Sequence, residues 1–404
     1  MARRIFKQWS FSNIVSNNRE ILYYAIALFL VTFATRATNN MINTTAPLLA
    51  RYIFLFPNIL VGILASIGSL INLATVILIN ARLPGSVRRR LFLISNALII
   101  ILLVLYYVSN PTSIWGLAII TGFAYGVIMP NILTSASIVG DQFTAERLLV
   151  LYTLALSTSL VVGPLFETYL LTHLTYRDVF LIFTPLAIIA FTFSFRLKFP
   201  PDPPKHRRAG ILNHKAILKN RGFVSAVLAT TTYSIPFAVF TTFIAIYAQS
   251  IYHVNKYLAY FSFVPFFLTS FLTRLYLTIK VPGKLFIPII TSIIITSIGI
   301  ILLYASPTYI AFLVAMTLLG IPHGSTYPLS TLMLSRGTRI EERNTANSYF
   351  SAYQGIIAIT MPAIFGYLAD AVGLRLSMLL LLIPVIITGI VFGKYYVRAH
   401  LDHV

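Results

Sequence analysis

Residues 34–45 read Ala34-Thr35-Arg36-Ala37-Thr38-Asn39-Asn40-Met41-Ile42-Asn43-Thr44-Thr45 and continue an apolar run that opens at Ile21. In a helix, Arg36, Asn40 and Asn43 stack on one face at i, i+4 and i+7, with Asn39 beside them. If that helix enters a bilayer near Ile21, Arg36 lies fifteen residues in. At ~1.5 Å per residue this is about 22 Å deep, well inside a ~30 Å hydrocarbon core. A charge near the centre costs roughly 2.5–3.5 kcal/mol on insertion scales, so the guanidinium must face protein or water rather than lipid. The stretch therefore predicts a membrane helix that turns a polar stripe toward the inside of a bundle.

Composition agrees. The chain has 404 residues, 58% hydrophobic and only 10% charged, where soluble domains carry about 25% charged residues. Mean hydropathy is +0.85. The reading is an integral membrane protein of the all-α class. Its 20 prolines and 20 glycines do not oppose this, because transmembrane helices tolerate both. Net charge is +20, from 30 Lys+Arg against 10 Asp+Glu. In a soluble protein that excess would suggest nucleic acid; here it reads as basic loops at an anionic membrane face, with no nucleic-acid partner. The absence of cysteine excludes disulfides and thiol chemistry. The basic N-terminus precedes an apolar run too long for a signal-peptide core, so a retained first span is expected.

Apolar runs predict twelve spans, at 21–46, 57–80, 91–108, 112–139, 147–172, 178–196, 222–250, 256–279, 285–304, 309–334, 344–369 and 374–396. Short turn-rich breaks separate them, and one long break, 198–221, contains PPDPPKHRR. The expected organisation is a six-helix bundle over 1–197, a linker over 198–221 and a second six-helix bundle over 222–404. Lys and Arg crowd the N-terminus, the even-numbered loops and the C-terminal tail, while the odd-numbered loops hold Arg51, Arg177, Lys256 and Arg375. That asymmetry predicts a multi-pass protein of the cell membrane with both termini and the linker cytoplasmic. Arg274, near the cytoplasmic end of the eighth span, is expected to snorkel to that face.

The halves match each other. An ungapped offset of 198 residues superposes Arg82-Leu83-Pro84-Gly85 on Lys280-Val281-Pro282-Gly283. It also pairs Gly122 with Gly320, Gly126 with Gly324, Pro130 with Pro328, Pro164 with Pro362 and Arg177 with Arg375. We read this as a parallel six-plus-six repeat, the arrangement expected of two bundles rocking about a central site.

Over nearly its full length the chain resembles the major facilitator superfamily of secondary transporters. The twelve spans, the duplication and degraded family motifs carry the resemblance. Asn80 to Arg90 (NARLPGSVRRR) sits where the family places a G-x-L-a-D-R-x-G-R-R/K loop, keeping the basic cluster without the Asp. Asp141 to Arg147 follows the fourth span, where the family often has an acid followed by an Arg. Arg339-Ile340-Glu341-Glu342-Arg343 is its counterpart after the tenth. Leu160-Val161-Val162-Gly163-Pro164 is a fragment of the Gly-Pro motif associated with antiporters. The resemblance implies alternating access, a cavity built from spans 1, 4, 7 and 10, and a cytoplasmic gate drawn from Arg82, Arg88, Asp141, Glu146, Arg147, Glu342 and Arg343.

Candidate substrate-binding residues are Arg36, Asn39, Asn40, Asn43, Tyr125, Tyr233, His323, Tyr327, Tyr353 and Gln354. Arg36 has two readings: a guanidinium attracting an anionic or carbonyl-bearing solute, or a structural arginine bonded to backbone. Tyr125 and His323 are equivalent under the offset, each about halfway through its span. His323 is either a proton relay or a neutral interhelical donor. Glu167, inside the fifth span, is either a proton-coupling carboxyl or an outer-surface acid paired to Arg177, Arg51 or Arg375. Asp370 is expected at the outer interface.

No P-loop, H-E-x-x-H, Cys/His cluster or G-x-S-x-G elbow occurs, so ATP-driven transport by this chain, a metal site, cofactors and enzyme activity are not expected. The expected function is secondary active transport of a small organic solute, with protons as candidate coupling ions and a monomer as the expected unit. Organic-anion transport and drug-like efflux remain open within it. A non-transporting membrane sensor or assembly protein on the same fold is the alternative from another class.

Overall fold

The computed structural model describes residues 19–138, 142–199, 214–338 and 343–398. Among them, twelve helices are long and apolar enough to cross a membrane. In chain order these are α1 (Arg19–Tyr52), α2 (Asn58–Ile79), α3 (Gly85–Tyr107), α4 (Ser113–Ser137), α5 (Thr144–His173) and α6 (Tyr176–Ser194). After the central break come α7 (Arg221–Tyr252), α8 (Lys256–Ile279), α9 (Phe286–Ala305), α10 (Tyr309–Gly337), α11 (Thr345–Val372) and α12 (Leu374–Val397). The predicted all-α membrane architecture is the observed one.

Three of the helix breaks lie just before a proline, which removes a helix donor and clashes with the preceding turn. The α6, α8 and α12 helices each break once, at Phe183, Ser262 and Leu381, with Pro185, Pro265 and Pro384 two or three residues on. The end of α2 is a π-helical turn over Thr75–Ile79. The expected linker is partly structured: a short helix, His214–Lys219, leads into α7, where the Asn220 side chain accepts from the Phe223 amide at 3.1 Å.

The duplication read from sequence is visible in the packing. A methyl group at Gly122 would lie 2.4 Å from the Gly68 carbonyl oxygen, and one at Gly320 would lie 2.3 Å from that of Phe266. Gly126 meets Asn72 and Thr75, and Gly324 meets Ser270 and Thr273. Every partner differs by the same 198 residues. Glycine at these positions lets α4 approach α2, and α10 approach α8, backbone to backbone. Arg177 donates to the Tyr107 and Ser109 carbonyls at the end of α3. Arg375 does the same for Tyr304 and Ser306 at the end of α9.

Arg19, Arg82, Arg88, Lys280 and Arg336 lie at helix ends on one side of the bundle, called here the basic face. On the far face the two halves are tied together. Asp370, at the end of α11, accepts from the amides of Asn58 and Ile59 at 3.0 and 2.8 Å and from the Asn58 side chain at 2.8 Å. Its carboxylate thereby caps the α2 N-terminus across the halves, satisfying donors that a helix start leaves open. Tyr52 donates to the Ile246 carbonyl, Tyr176 to Gln249, and Lys256 to the Leu174 carbonyl. Two seams carry the contact, α2 against α11 and α5 against α8. In the first, a methyl on Gly62 would fall 2.1 Å from the Pro362 carbonyl oxygen.

Candidate functional site

Between the halves lies a cavity of about 930 Å³, at the upper end of the usual range for small-molecule sites. It runs from Pro47, Leu64 and Pro362 at its deep end toward Ile77 and Asn347, near the basic ends of α2 and α11. The polar stripe of α1 faces it: Arg36, Asn39, Asn40 and Asn43 all line its wall. Asn43 donates to Asn39 at 3.3 Å, which fixes two amides of the stripe. From α4 comes Tyr125, and from α11 Gln354, whose carbonyl oxygen accepts from Ser234 at 3.1 Å. Arg36 is thus turned away from lipid, as the cost of burying its charge requires.

Other predicted residues lie elsewhere. The cavity is lined by α1, α2, α4, α7 and α11, with Tyr106 of α3; α10 contributes none of the lining side chains. His323 of α10 is buried in an aromatic cage instead. Its ring stands 4.2 Å from Phe237, 5.0 Å from Phe266 and 5.4 Å from Tyr233. The Phe237 ring lines the cavity and stacks on the imidazole, which accounts for the absence of His323 and Tyr233 from its wall. Tyr353 also stands off the wall, sharing a 2.7 Å hydrogen bond with Thr231. Tyr327 is 48% exposed and lies within electrostatic reach of Arg274.

Two expectations about charge are corrected. Glu167 is not an outer-surface acid paired to arginine: it has no solvent exposure, and its Oε2 accepts from Thr45 of α1 at 2.9 Å. Tyr260 of α8 stands beside the carboxyl and shares a 2.5 Å hydrogen bond with Thr44. Oε1 has no partner. The three proposed arginine partners are engaged with backbone carbonyls, Arg51 with that of Phe56. Arg274, expected to snorkel to the basic face, is partly buried instead: its Nε is buried without a hydrogen-bond partner, and Arg36, Tyr233 and Tyr327 lie within its electrostatic reach.

Of the expected gate, Arg82 is exposed and Arg88 partly buried, at the basic face; Glu146 and Arg147 lie in the first turns of α5. Asp141, Glu342 and the Arg343 side chain lie outside the described residues. Asn72 and Ser69 of α2, and Asn347 and Ser351 of α11, line the cavity without having been singled out from sequence. The available signal was an Asn within an apolar run. Among the described residues no group of three or more His, Cys, Asp or Glu is placed to hold a metal ion.

Comparison with known proteins gives the same architecture. The sequence model of the Major Facilitator Superfamily matches residues 28–284 and 283–403. No curated protein matches the chain. Among solved structures, a bacterial homologue of the human lysosomal transporter Spinster, inward-facing and occupied, superposes with a TM-score of 0.76 at 13% identity, covering 96% of this chain and 99% of that one. The nucleoside transporter NupG superposes at 0.68 with 14% identity, covering 94% and 99%. A POT family transporter in complex with 5-aminolevulinic acid gives 0.74 at 11%, covering 95% and 97%. At such identities the likeness is one of fold.

Proposed function

The chain belongs to the Major Facilitator Superfamily, and on that premise we propose that it carries a small organic solute through the central cavity by alternating access, with Arg36 and the asparagines of α1 as its principal contacts. The observation that supports this most is the buried guanidinium of α1 set on the wall of a cavity between two repeats. Residues 1–197 and 222–404 are the two moving bodies, joined by 198–221. With the basic face toward the cytoplasm, as the positive-inside rule favours, this conformation is closed outside and its cavity runs toward the inside. Arg82, Arg88, Glu146 and Arg147 then belong to the cytoplasmic gate. Exposed charge pairs of this kind contribute only about 0–1 kcal/mol each, which suits a gate that must open.

Glu167 is the proposed proton-coupling group. Its carboxyl is shut between α1, α5 and α8 while the far face is closed, and parting of α5 from α8 would bring it to water. The titratable group facing it is Tyr260, with Thr44 and Thr45 from α1. A carboxyl that alternates between protein and water in step with the two states is what coupling needs, because a proton shifts the equilibrium only by binding the two states unequally. His323, caged by aromatic rings, is the weaker candidate.

The test is uptake into liposomes containing the purified protein, measured against a panel of small organic solutes. The wild type accumulates at least one of them, and Arg36→Ala, still folded and membrane-inserted, transports it at the rate of empty liposomes. Unchanged kinetics in that variant would remove Arg36 from the site. Absence of flux for every solute would favour the sensor reading.

A further inference from the structure

A second, much smaller cavity lies inside the first half, behind the wall of the central one. It is enclosed by α1, α3, α4 and α6, and its polar lining is Thr35, Thr38, Asn96 and Tyr125. Tyr125 also lines the central cavity, so its side chain is the partition between the two. The volume, about 10 Å³, is close to what a single water molecule needs and too small for an organic solute. The second half shows why the space exists. There Tyr233 stands at the position of Thr35, and its ring lies 5.4 Å from that of His323, the equivalent of Tyr125. A threonine side chain stops short of that contact.

The polar groups around this cavity call for an occupant. Thr32, Thr38 and Thr44 of α1 each donate to the carbonyl four residues back, at 2.7, 2.8 and 2.8 Å. Thr35 does not: its Oγ1 is buried without a partner. The Tyr125 hydroxyl is buried without a partner too. Asn96 directs its amide nitrogen to the Phe92 carbonyl at 2.9 Å, which leaves its Oδ1 to accept. All three residues are no more than 4% exposed. A buried hydroxyl without a hydrogen bond is costly, and water inside proteins sits where about three such groups converge on a space of its own size. A phenol that donates, an amide oxygen that accepts and a threonine hydroxyl that does either match the donors and acceptors of one water.

We propose that this cavity is a binding site for one ordered water molecule, which ties Tyr125, on the wall of the central cavity, to Thr35 of α1 and Asn96 of α3. The water accepts from the Tyr125 hydroxyl, donates to the Asn96 Oδ1 and completes its bonds with the Thr35 Oγ1. A bridging water is enthalpically nearly as good as a direct hydrogen bond, so Tyr125 gains an anchor on two neighbouring helices. In the second half the same place in the fold is held by ring contacts, those of His323 with Tyr233 and Phe237. The site belongs to the packing of the first bundle and is independent of the solute that the central cavity takes.

The test is hydroxyl-radical labelling of the purified protein in lipid nanodiscs, with radicals generated from water by short X-ray pulses and oxidised residues read by mass spectrometry. Radicals formed from a bound water oxidise its neighbours even where bulk solvent has no access. Ile128 lines this cavity and not the central one, and it has no solvent exposure; Leu103 is equally buried and lines neither. Ile128 should be labelled severalfold faster than Leu103 in the wild type. Thr35→Val and Tyr125→Phe each remove one hydroxyl and keep the shape of the side chain. Both should bring Ile128 down toward the rate of Leu103, while Thr35→Ser should keep it high. Ala190→Thr gives the cavity wall the residue type that the second half has at the equivalent position, Thr388. It should displace the water, with the same loss of labelling. Equal rates for Ile128 and Leu103 in the wild type, or fast labelling of Ile128 that survives Ala190→Thr, would overturn the proposal. Fast labelling that survives both Thr35→Val and Tyr125→Phe would overturn it as well, because those hydroxyls would not then hold the water.

Discussion

Thr45 and Glu167 in the first half stand where the second half has Phe243 and Phe365, 198 residues on. In the first half the pair is a hydrogen bond from Thr45 to a buried carboxyl. In the second it is a contact between rings with centroids 4.8 Å apart. The difference extends across the seams. Glu167 stands beside Tyr260 of α8, while around Phe365 the residue equivalent to Tyr260 is Gly62, packed on the Pro362 carbonyl oxygen. Arg36 likewise corresponds to Ser234 and Tyr125 to His323. One scaffold has been furnished twice: in one seam with a buried carboxyl beside hydroxyls, in the other with a close backbone contact next to the cavity. In the proposed rocking motion the first would be the seam that responds to protons and the second the seam that guides.

The close seam is the easiest to break. Gly62→Val forces the α2 backbone off Pro362, and overpacking of this kind typically costs about 1–3 kcal/mol. That loss falls on the far-face-closed state. Spin labels on Leu55→Cys and His253→Cys, across the two halves at that face, should report a longer distance in this variant. The chain has no native cysteine to interfere with labelling. An unchanged distance would mean that the seam is not a constraint on closure.

The shared scaffold can be sharpened by paired substitutions. Gly122→Ala and Gly320→Ala meet carbonyl oxygens at nearly the same distance, 2.4 and 2.3 Å. They should lower thermal stability by similar amounts, within about 0.5 kcal/mol of each other. Unequal losses would show that the halves pack alike without being held alike. Smaller still, Arg177→Ala and Arg375→Ala each remove hydrogen bonds to the last carbonyls of a helix. Thermal unfolding should register about 1 kcal/mol for each, again matched.

The sequence revealed the scaffold because its signals are local or periodic. Apolar runs of span length, punctuation by proline and turn residues, and a constant offset of 198 required no knowledge of three-dimensional neighbours. The α1 stripe was legible for the same reason, since helical spacing alone puts Arg36, Asn40 and Asn43 on one face. What failed depended on partners. The cage around His323 is assembled from α7 and α8, and nothing near residue 323 announces Phe237 or Phe266. Glu167 read as an acid near the surface because the depth of a residue follows from its span, while its partner, Thr45, is 122 positions away. Arg274 was assigned to the basic face by its distance from the helix end, which says nothing of the packing that buries its Nε.

The central claim is that the first half's buried carboxyl, and not the shared frame, makes the molecule respond to protons. It is tested most directly by the Leu55–His253 label distance in lipid nanodiscs, followed from about pH 5 to about pH 8, in wild type and Glu167→Gln. The account predicts a distance distribution that shifts with pH in the wild type and stays fixed in the variant. A shift that persists undiminished in Glu167→Gln would contradict it.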